Sequence, residues 1–376
     1  MGFIRKLIHI IFPIKNYIFF ESKPDFADNA RAVFEEIRTR GYENHKFIWW
    51  VNDRKKKTLP KIKNVVFVDK KSFFNRLIFN YYNIRAKTII YCNLSITKYW
   101  DEQKMIYLGH GSPLKSVGGN HYVQSSKLNF AIAESQMFAD RFKFEEEGTN
   151  CKIIPLGYAR TDVLCKKPEL SLENLFNKKY NKVIVWYPTF RQNIYGANDL
   201  RDYEALPLLN ERKDAVKLQQ QLKEKNVLLV LKPHFSQDVA YIKDWGLDNL
   251  VIINDEFYVK NNTTSYEFIA ACDALISDYS SVYYDFLLCD KPIGVIWNDI
   301  ERYSQKPGFS LDPNEIMAGA EKIYTLEEFC SFINSVASNI DSLKDIRNQI
   351  KNLVHFSTDG KCAKRVVDFF ENNNVI

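Results

Sequence analysis

CDALISDYSSVYYDFLLCDKPIGVIW, residues 272–297, reads as strand, helix, strand. ALIS (274–277) is a short apolar run, Ser280 to Leu288 forms an apolar helix, and PIGVIW (292–297) returns to a strand. Fully apolar strands joined through a helix belong to a parallel sheet covered on both faces. Toward the N-terminus the same succession continues through VIVWYP (183–188), a helix over Asp214–Glu224, VLLVLKP (227–233), LVIIN (250–254) and a helix over Thr264–Cys272. Toward the C-terminus follow helices over Thr325–Ala337 and Ser342–Leu353, and then Gly360–Asn372.

An earlier series has the same form. YIFFE (17–21) is a strand, and Asp28 caps a helix running to about Arg40. FIWWV (47–51) and VVFV (65–68) are strands, Ser72–Arg85 is a helix, and TIIYCN (88–93), MIYLG (105–109) and FAIAE (130–134) are strands, the last leading into a helix over Ser135–Phe144. The expected fold is therefore α/β, two doubly wound parallel-sheet Rossmann-like domains facing a central cleft. Their expected spans are 17–165 and 182–355, with the crossing in 157–181 and a C-terminal segment, 356–376, placed to cross back to the first domain.

The 376 residues are 46% hydrophobic and 26% charged, a mix that excludes a disordered chain. With 14 Gly and 12 Pro, collagen-like and Gly/Pro-rich architectures are excluded as well. The net charge of +6 suits an anionic surface or simple solubility. Seven scattered cysteines without a Cys-x-x-Cys pair indicate neither a disulfide framework nor a zinc site, and fit a reducing cytoplasm. FIRKLIHIIFPI (3–14), within the first 16 residues, is too short and too interrupted by charge to span a bilayer, and no small-residue cleavage site follows it. Two readings stay open for it: an interfacial amphipathic helix, or a helix packed on the first domain.

Ligands of open α/β sheets bind beyond the carboxyl ends of the strands. Four polar clusters stand there: LGHGSPLKSVGG (108–119), YPTFR (187–191), LKPHF (231–235) and SDYSSVYYD (277–285). In the first, glycines on both sides of His110 allow close approach to an imidazole suited to proton transfer at neutral pH. Ser112, Lys115 and the Gly118-Gly119 pair add donors able to face a phosphate, and Gly111, Ser112 and Lys115 are the candidates for binding the acceptor or a phosphate. His234, beside Lys232, is the matching histidine of the second series, able to stabilise a leaving phosphate. In the fourth, Asp278 leads to Ser280 and Ser281 at an expected helix N-terminus, a natural anion site. Thr189 and Arg191 supply a hydroxyl and a fixed cation. Helix capping by Asp278 and Ser280 is the alternative for that cluster, and a surface ion pair is the alternative for Arg191.

Neither G-x-x-x-x-G-K-[ST] nor G-x-G-x-x-G occurs, which disfavours a P-loop nucleotidase or a dinucleotide binder. There is also no D-x-D, and the histidines lack metal-ligand spacing, so no metal and no cofactor are expected.

In their order along the chain, these stretches resemble the CDP-glycerol glycerophosphotransferase family of teichoic acid and capsule synthesis. IFFESKPDFADNARAVFEEI (18–37) resembles its opening strand and helix, GHGSPLKSVG (109–118) its H-G-T-P-L-K-x-x-G, and GYARTD (157–162) its G-x-P-R-x-D. YPTFR, KPHF (232–235) and CDALISDYSSVYYDFLLCDKPI (272–293) match three further signatures, the last being the longest. Gly109, Ser112, Ala159, Lys232 and Phe235 depart from the family pattern.

The resemblance implies a GT-B-like fold and transfer of a polyol phosphate, with release of CMP, to a hydroxyl of a lipid-linked or polymeric acceptor. By position, His110 would be the base and His234 would contact the donor diphosphate. Thr189, Arg191, Ser280 and Ser281 would hold its oxygens. It further implies a peripheral place on the anionic cytoplasmic face of the membrane, with no nucleic acid partner. Glycerol and ribitol phosphate both remain open as the transferred unit, and a nucleotide-sugar GT-B glycosyltransferase is the alternative enzyme.

Overall fold

A computed structural model describes residues 3–56, 58–94, 96–114, 122–123, 127–141, 143–144, 150–189, 206–209, 211–233, 245–305 and 308–376. Contacts divide the chain into two compact units. The first comprises Met1–Ser112, Asn120–Asp162 and Val354–Ile376, and the second Pro113–Gly119 and Val163–Leu353.

The first unit is built on seven parallel strands: β1 (Lys15–Glu21), β2 (Lys46–Trp50), β3 (Val65–Val68), β4 (Ala86–Tyr91), β5 (Lys104–Tyr107), β7 (Phe130–Ala133) and β9 (Lys152–Pro155). They run in the order β3-β2-β1-β4-β5-β7-β9. A separate two-stranded piece joins β6 (Tyr122–Val123) to β8 (Lys143–Phe144). Side chains alternate between the two faces of a strand, so one apolar run can supply two cores. In β1, Ile18 and Phe20 pack with Trp49 under the helix Asp28–Thr39, while Phe19 turns to Ile48, Ile89 and Phe79 of the helix Phe73–Arg85. The C-terminal helix Cys362–Asn372 completes the first core with Val366, Val367 and Phe370. Arg40 grips its outer side through Asp368 and Glu371, each at 2.8 Å.

The second unit has six parallel strands: β10 (Lys182–Trp186), β11 (Val227–Leu231), β12 (Leu250–Ile252), β13 (Ala274–Ser277), β14 (Ile293–Ile296) and β15 (Glu321–Ile323). Their order is β12-β11-β10-β13-β14-β15. Ile184, Trp186, Leu229, Leu231 and Ile276 bury one face against Leu218 and Leu222 of the helix Arg212–Glu224 and Phe329 and Ile333 of the helix Leu326–Ala337. Thr264 with Glu267, and Thr325 with Glu328, close reciprocal capping boxes that fix where two helices start.

Several expected boundaries are corrected. The Ser280–Leu288 helix is a five-residue α-helix, Val282–Phe286, continued as a 3-10 turn over Leu287–Cys289. Tyr283 and Tyr284 donate to carbonyls three residues back, which tightens the winding, and Asp290 ends it in the left-handed region at φ 51°. Such a short helix has a correspondingly weak dipole for an anion to exploit. The Ser135–Phe144 helix is one turn, Gln136–Ala139, because the Ser135 hydroxyl caps nothing and Lys143–Phe144 pair instead with β6. Asp28 is not the N-cap; Ala27 is, and Asp28 itself sits at φ 59° with its carboxylate accepting the Asn29 N–H at 2.7 Å.

Candidate active site

Each sheet has a point where its strand order reverses, between β1 and β4 in the first and between β10 and β13 in the second. Such switch points leave a crevice at the carboxyl ends, the usual place for a ligand in this architecture.

At the first switch point β1 ends on Glu21, whose Oε2 accepts the N–H groups of Cys92 (3.2 Å), Asn93 (2.9 Å) and Leu94 (2.9 Å). One carboxylate oxygen thereby shapes the chain leaving β4. The turn leaving β5 brings His110 to the same place. Gly109 stands at φ +73°, a left-handed conformation that suits glycine, and a Cβ there would lie 2.7 Å from the Tyr158 ring. His110 Nδ1 is 3.0 Å from the Cys92 carbonyl oxygen and 3.0 Å from Tyr107 Oη. A carbonyl oxygen can only accept, so a hydrogen bond there requires the hydrogen on Nδ1, and a neutral ring of that form keeps its lone pair on Nε2. Burial holds the Tyr107 phenol well above its ordinary range, so it stays neutral beside the imidazole. The His110 residue itself is exposed.

The backbone around His110 is clamped as well. Asn29 Nδ2 donates to the carbonyls of Leu108 (3.2 Å) and Gly109 (3.0 Å), and its Oδ1 accepts the Arg160 N–H at 3.0 Å. The Arg160 guanidinium donates to the His110 carbonyl at 2.7 Å and to Asp28 at 2.9 Å. Asp162, two residues on, accepts the N–H groups of Cys362 (2.7 Å) and Ala363 (2.8 Å), tying the start of the last helix to the same motif. Ser112 is buried with its hydroxyl lacking a hydrogen-bond partner among the described residues. Gly111 adjoins at φ 151°, and Lys115, Gly118 and Gly119 lie outside the described residues.

At the second switch point Asp278 is fully buried after β13. Both of its oxygens accept the Thr189 N–H, at 3.0 and 2.9 Å, and Oδ2 also accepts the Thr189 hydroxyl at 3.0 Å. Ser277 Oγ donates to the Tyr187 carbonyl at 2.8 Å, so β13 braces the exit of β10 twice. The Asp278 carboxylate therefore holds Thr189 in place rather than presenting itself to an anion, which its charge would repel. Lys232 Nζ is engaged by Asp255 at 3.0 Å. Ser280 and Ser281 are half-buried, and Ser281, in helical conformation, makes no side-chain cap. Arg191 and His234 lie outside the described residues.

Within the first unit the structure thus brings His110, Gly111 and Ser112 together with Arg160; within the second it joins Thr189 to Asp278. Sequence reasoning gave no role to Glu21, Asn29, Tyr107 or Arg160. The available signals were a charge closing the apolar run YIFFE at the end of a strand, and the stretches 18–37 and GYARTD, which hold Asn29 and Arg160.

Two doubly wound parallel sheets with polar clusters at their switch points define a GT-B-like α/β protein. The chain belongs to the CDP-glycerol:poly(glycerophosphate) glycerophosphotransferase family, whose model matches residues 4–372. It is 26% identical to the teichoic acid glycerol-phosphate primase of Bacillus subtilis over 66% of this chain and 58% of that protein. It is also 26% identical to the teichoic acid poly(ribitol-phosphate) polymerase of Bacillus spizizenii, over 97% of this chain and 60% of the relative. The chain thus spans about six tenths of the length of these relatives. The teichoic acid glycerol-phosphate transferase of Staphylococcus aureus matches at 24% identity over 94% of this chain and 92% of its own. Among solved structures, the wall teichoic acid polymerase TagF superposes with a TM-score of 0.72 at 20% identity, covering 98% of this chain and 92% of that one. A putative UDP-N-acetylglucosamine 2-epimerase from Listeria monocytogenes shares the fold at a TM-score of 0.58 and 13% identity, over 96% and 97% of the two chains.

Proposed function

We propose that this chain transfers glycerol phosphate from CDP-glycerol to a hydroxyl of a lipid-linked or polymeric acceptor in teichoic acid synthesis, releasing CMP. The observation that carries this, within the family, is the His110 imidazole held by its Nδ1 hydrogen so that Nε2 is left to take a proton. The acceptor oxygen attacks the glycerol-bearing phosphorus while its proton passes to Nε2. The bond from that phosphorus to the bridging oxygen breaks, and the electron pair leaves on CMP. A positioned base of this kind contributes roughly 10²–10⁴-fold, the remainder coming from orientation and charge stabilisation. Arg191, Lys232, Ser280 and Ser281 are assigned to the donor phosphate oxygens, and Thr189 joins them by turning to a phosphate the one hydroxyl hydrogen that Asp278 accepts in this structure. His234 is assigned to the donor diphosphate, and Gly111, Ser112 and Lys115 to the acceptor or to phosphate. The transfer as written needs no cofactor beyond the donor.

Ribitol phosphate is the second reading, favoured by similarity to ribitol-phosphate enzymes as well as glycerol-phosphate ones. Incubating the protein with CDP-glycerol, CDP-ribitol and UDP-sugars, with mass spectrometry of the product, separates these. CMP release with a mass increment of one glycerol phosphate is expected; UDP release would establish a glycosyltransferase instead.

The same proposal places the protein peripherally on the anionic cytoplasmic membrane face. Among the described residues no helix is long and apolar enough to cross a membrane. The helix Phe3–Ile11 leaves Leu7, Ile10 and Ile11 exposed, and the adjoining helix Phe73–Arg85 leaves Phe73, Phe74, Leu77 and Tyr81 exposed. Phe12 meets Tyr81 edge-on at 6.3 Å, and Arg85 donates to the Pro13 carbonyl at 3.3 Å, joining the two segments. Residues 3–20 and 70–100 hold nine Lys/Arg and no Asp or Glu, whereas the rest of the chain holds 43 Lys/Arg against 46 Asp/Glu. The positive surplus therefore coincides in sequence with the exposed apolar side chains, a combination suited to anionic lipid at about 1 kcal/mol per basic residue at the surface. Replacing Ile10, Phe73 and Phe74 by Ser should weaken co-sedimentation with phosphatidylglycerol vesicles several-fold; unchanged binding would remove this surface from the proposal.

A further inference from the structure

We propose that Glu21 is a positioning residue for the transfer reaction, fixing the tautomer of His110 through the backbone of residues 92–94. This rests on His110 acting as the base.

Glu21 is only 2% exposed, yet no salt bridge engages it among the described residues; its carboxylate accepts backbone N–H groups there. Burial raises its pKa from 4.5 against the pull of those same N–H groups, so the site keeps a carboxylate at an unfavourable depth. Sheet closure alone does not call for it, because the β1–β4 ladder is already made by backbone bonds, including Cys92 N–H to the Glu21 carbonyl at 3.1 Å. What the side chain adds is convergence. Three successive N–H groups aimed at Oε2 bend the chain just past β4. That bend carries the Cys92 carbonyl oxygen to 3.0 Å from His110 Nδ1. Asn93 Oδ1 secures the same loop by accepting the Lys23 N–H at 2.9 Å.

Without the Cys92 carbonyl, Nδ1 would be left with the Tyr107 hydroxyl, which can donate as well as accept. The neutral imidazole could then place its hydrogen on Nε2, and that form cannot accept a proton from the acceptor hydroxyl. Glu21 therefore acts on the populated tautomer, two hydrogen-bonded steps from the ring, and touches no substrate.

Long-range ¹H–¹⁵N correlation of [¹⁵N]histidine-labelled protein, with His110 assigned by comparison with His110→Gln, reads the tautomer directly. The wild type should show hydrogen on Nδ1; hydrogen on Nε2 would overturn the proposal whatever any variant does. Glu21→Ala should shift the tautomer and lower kcat by roughly 10–100-fold with KM for CDP-glycerol little changed. In Glu21→Gln the amide carbonyl can take the place of Oε2, so the wild-type tautomer should be retained and kcat should stay within about fivefold. This variant keeps the test alive if Glu21→Ala does not fold. A wild-type tautomer in folded Glu21→Ala, or in Glu21→Gln a kcat loss as deep as that of Ala, would refute the positioning role while leaving His110 as base. Wild-type transfer by a His110 variant would instead remove the function on which it rests.

Discussion

The two switch points use one device in opposite senses. In the first unit the buried carboxylate, Glu21, ends the earlier strand β1 and takes N–H groups from the chain leaving the later strand β4. In the second, Asp278 follows the later strand β13 and takes the N–H and hydroxyl of Thr189, which leaves the earlier strand β10. The connections leaving two such strands run in opposite directions, so beyond the last ladder bond the two exits separate. A buried acid with several lone pairs extends the hold of the ladder past the strand ends. The difference lies in what is held. Glu21 positions a carbonyl that orients a base, whereas Asp278 takes both the N–H and the hydroxyl hydrogen of Thr189 and fixes the exit of β10.

The largest effect expected on this comparison follows Asp278→Asn. The amide nitrogen cannot accept, so one of the Thr189 bonds is lost in a buried site, at about 1.5–3 kcal/mol for a hydrogen bond to a charged group. Steady-state kinetics should show kcat/KM lowered roughly 10–100-fold. Loss of less than twofold would mean that the second switch point is structural only.

A smaller effect is expected from Gly109→Ala, which loads the turn before His110. The left-handed backbone alone costs about 1–2 kcal/mol for a side-chain-bearing residue, and the Tyr158 ring must move besides. A lowered melting temperature with roughly tenfold slower CMP release is expected. A stable variant of full activity would show that the turn tolerates another conformation.

The smallest effect separates Glu21 from its counterpart by pH. Because its folded pKa lies above 4.5, the folded state holds this proton more tightly than the unfolded chain does. The stability it contributes is complete below about 4.5 and is lost as pH rises through the folded pKa. Calorimetry should therefore find the melting temperature of Glu21→Gln rising relative to wild type as the pH is raised above about 4.5. A constant difference would mean that burial does not govern this carboxylate.

Much of this was legible before any coordinates. Apolar runs such as ALIS and VLLVL mark buried parallel strands, and β13 follows the first of these residue for residue. KIIP carries a Lys and a Pro and EKI two charges, so neither stands out as an apolar run, and β9 and β15 were not expected. The helix after Asp278 was read too long because VYYDFLL is apolar but for Asp285, whereas tertiary packing winds its second half into a 3-10 turn. His110 and Thr189 were found because they follow strands. Glu21 and Arg160 were not, since they act through backbone groups 71 and 50 residues away, a relation that local pattern cannot express.

The central claim is that His110 Nε2 receives the acceptor proton. Its most direct test is CMP release from CDP-glycerol in the presence of acceptor, for wild type and His110→Ala, alongside donor binding by calorimetry. CDP-glycerol should bind both proteins similarly while release falls roughly 10²–10⁴-fold in the variant. Release near the wild-type rate would contradict the assignment.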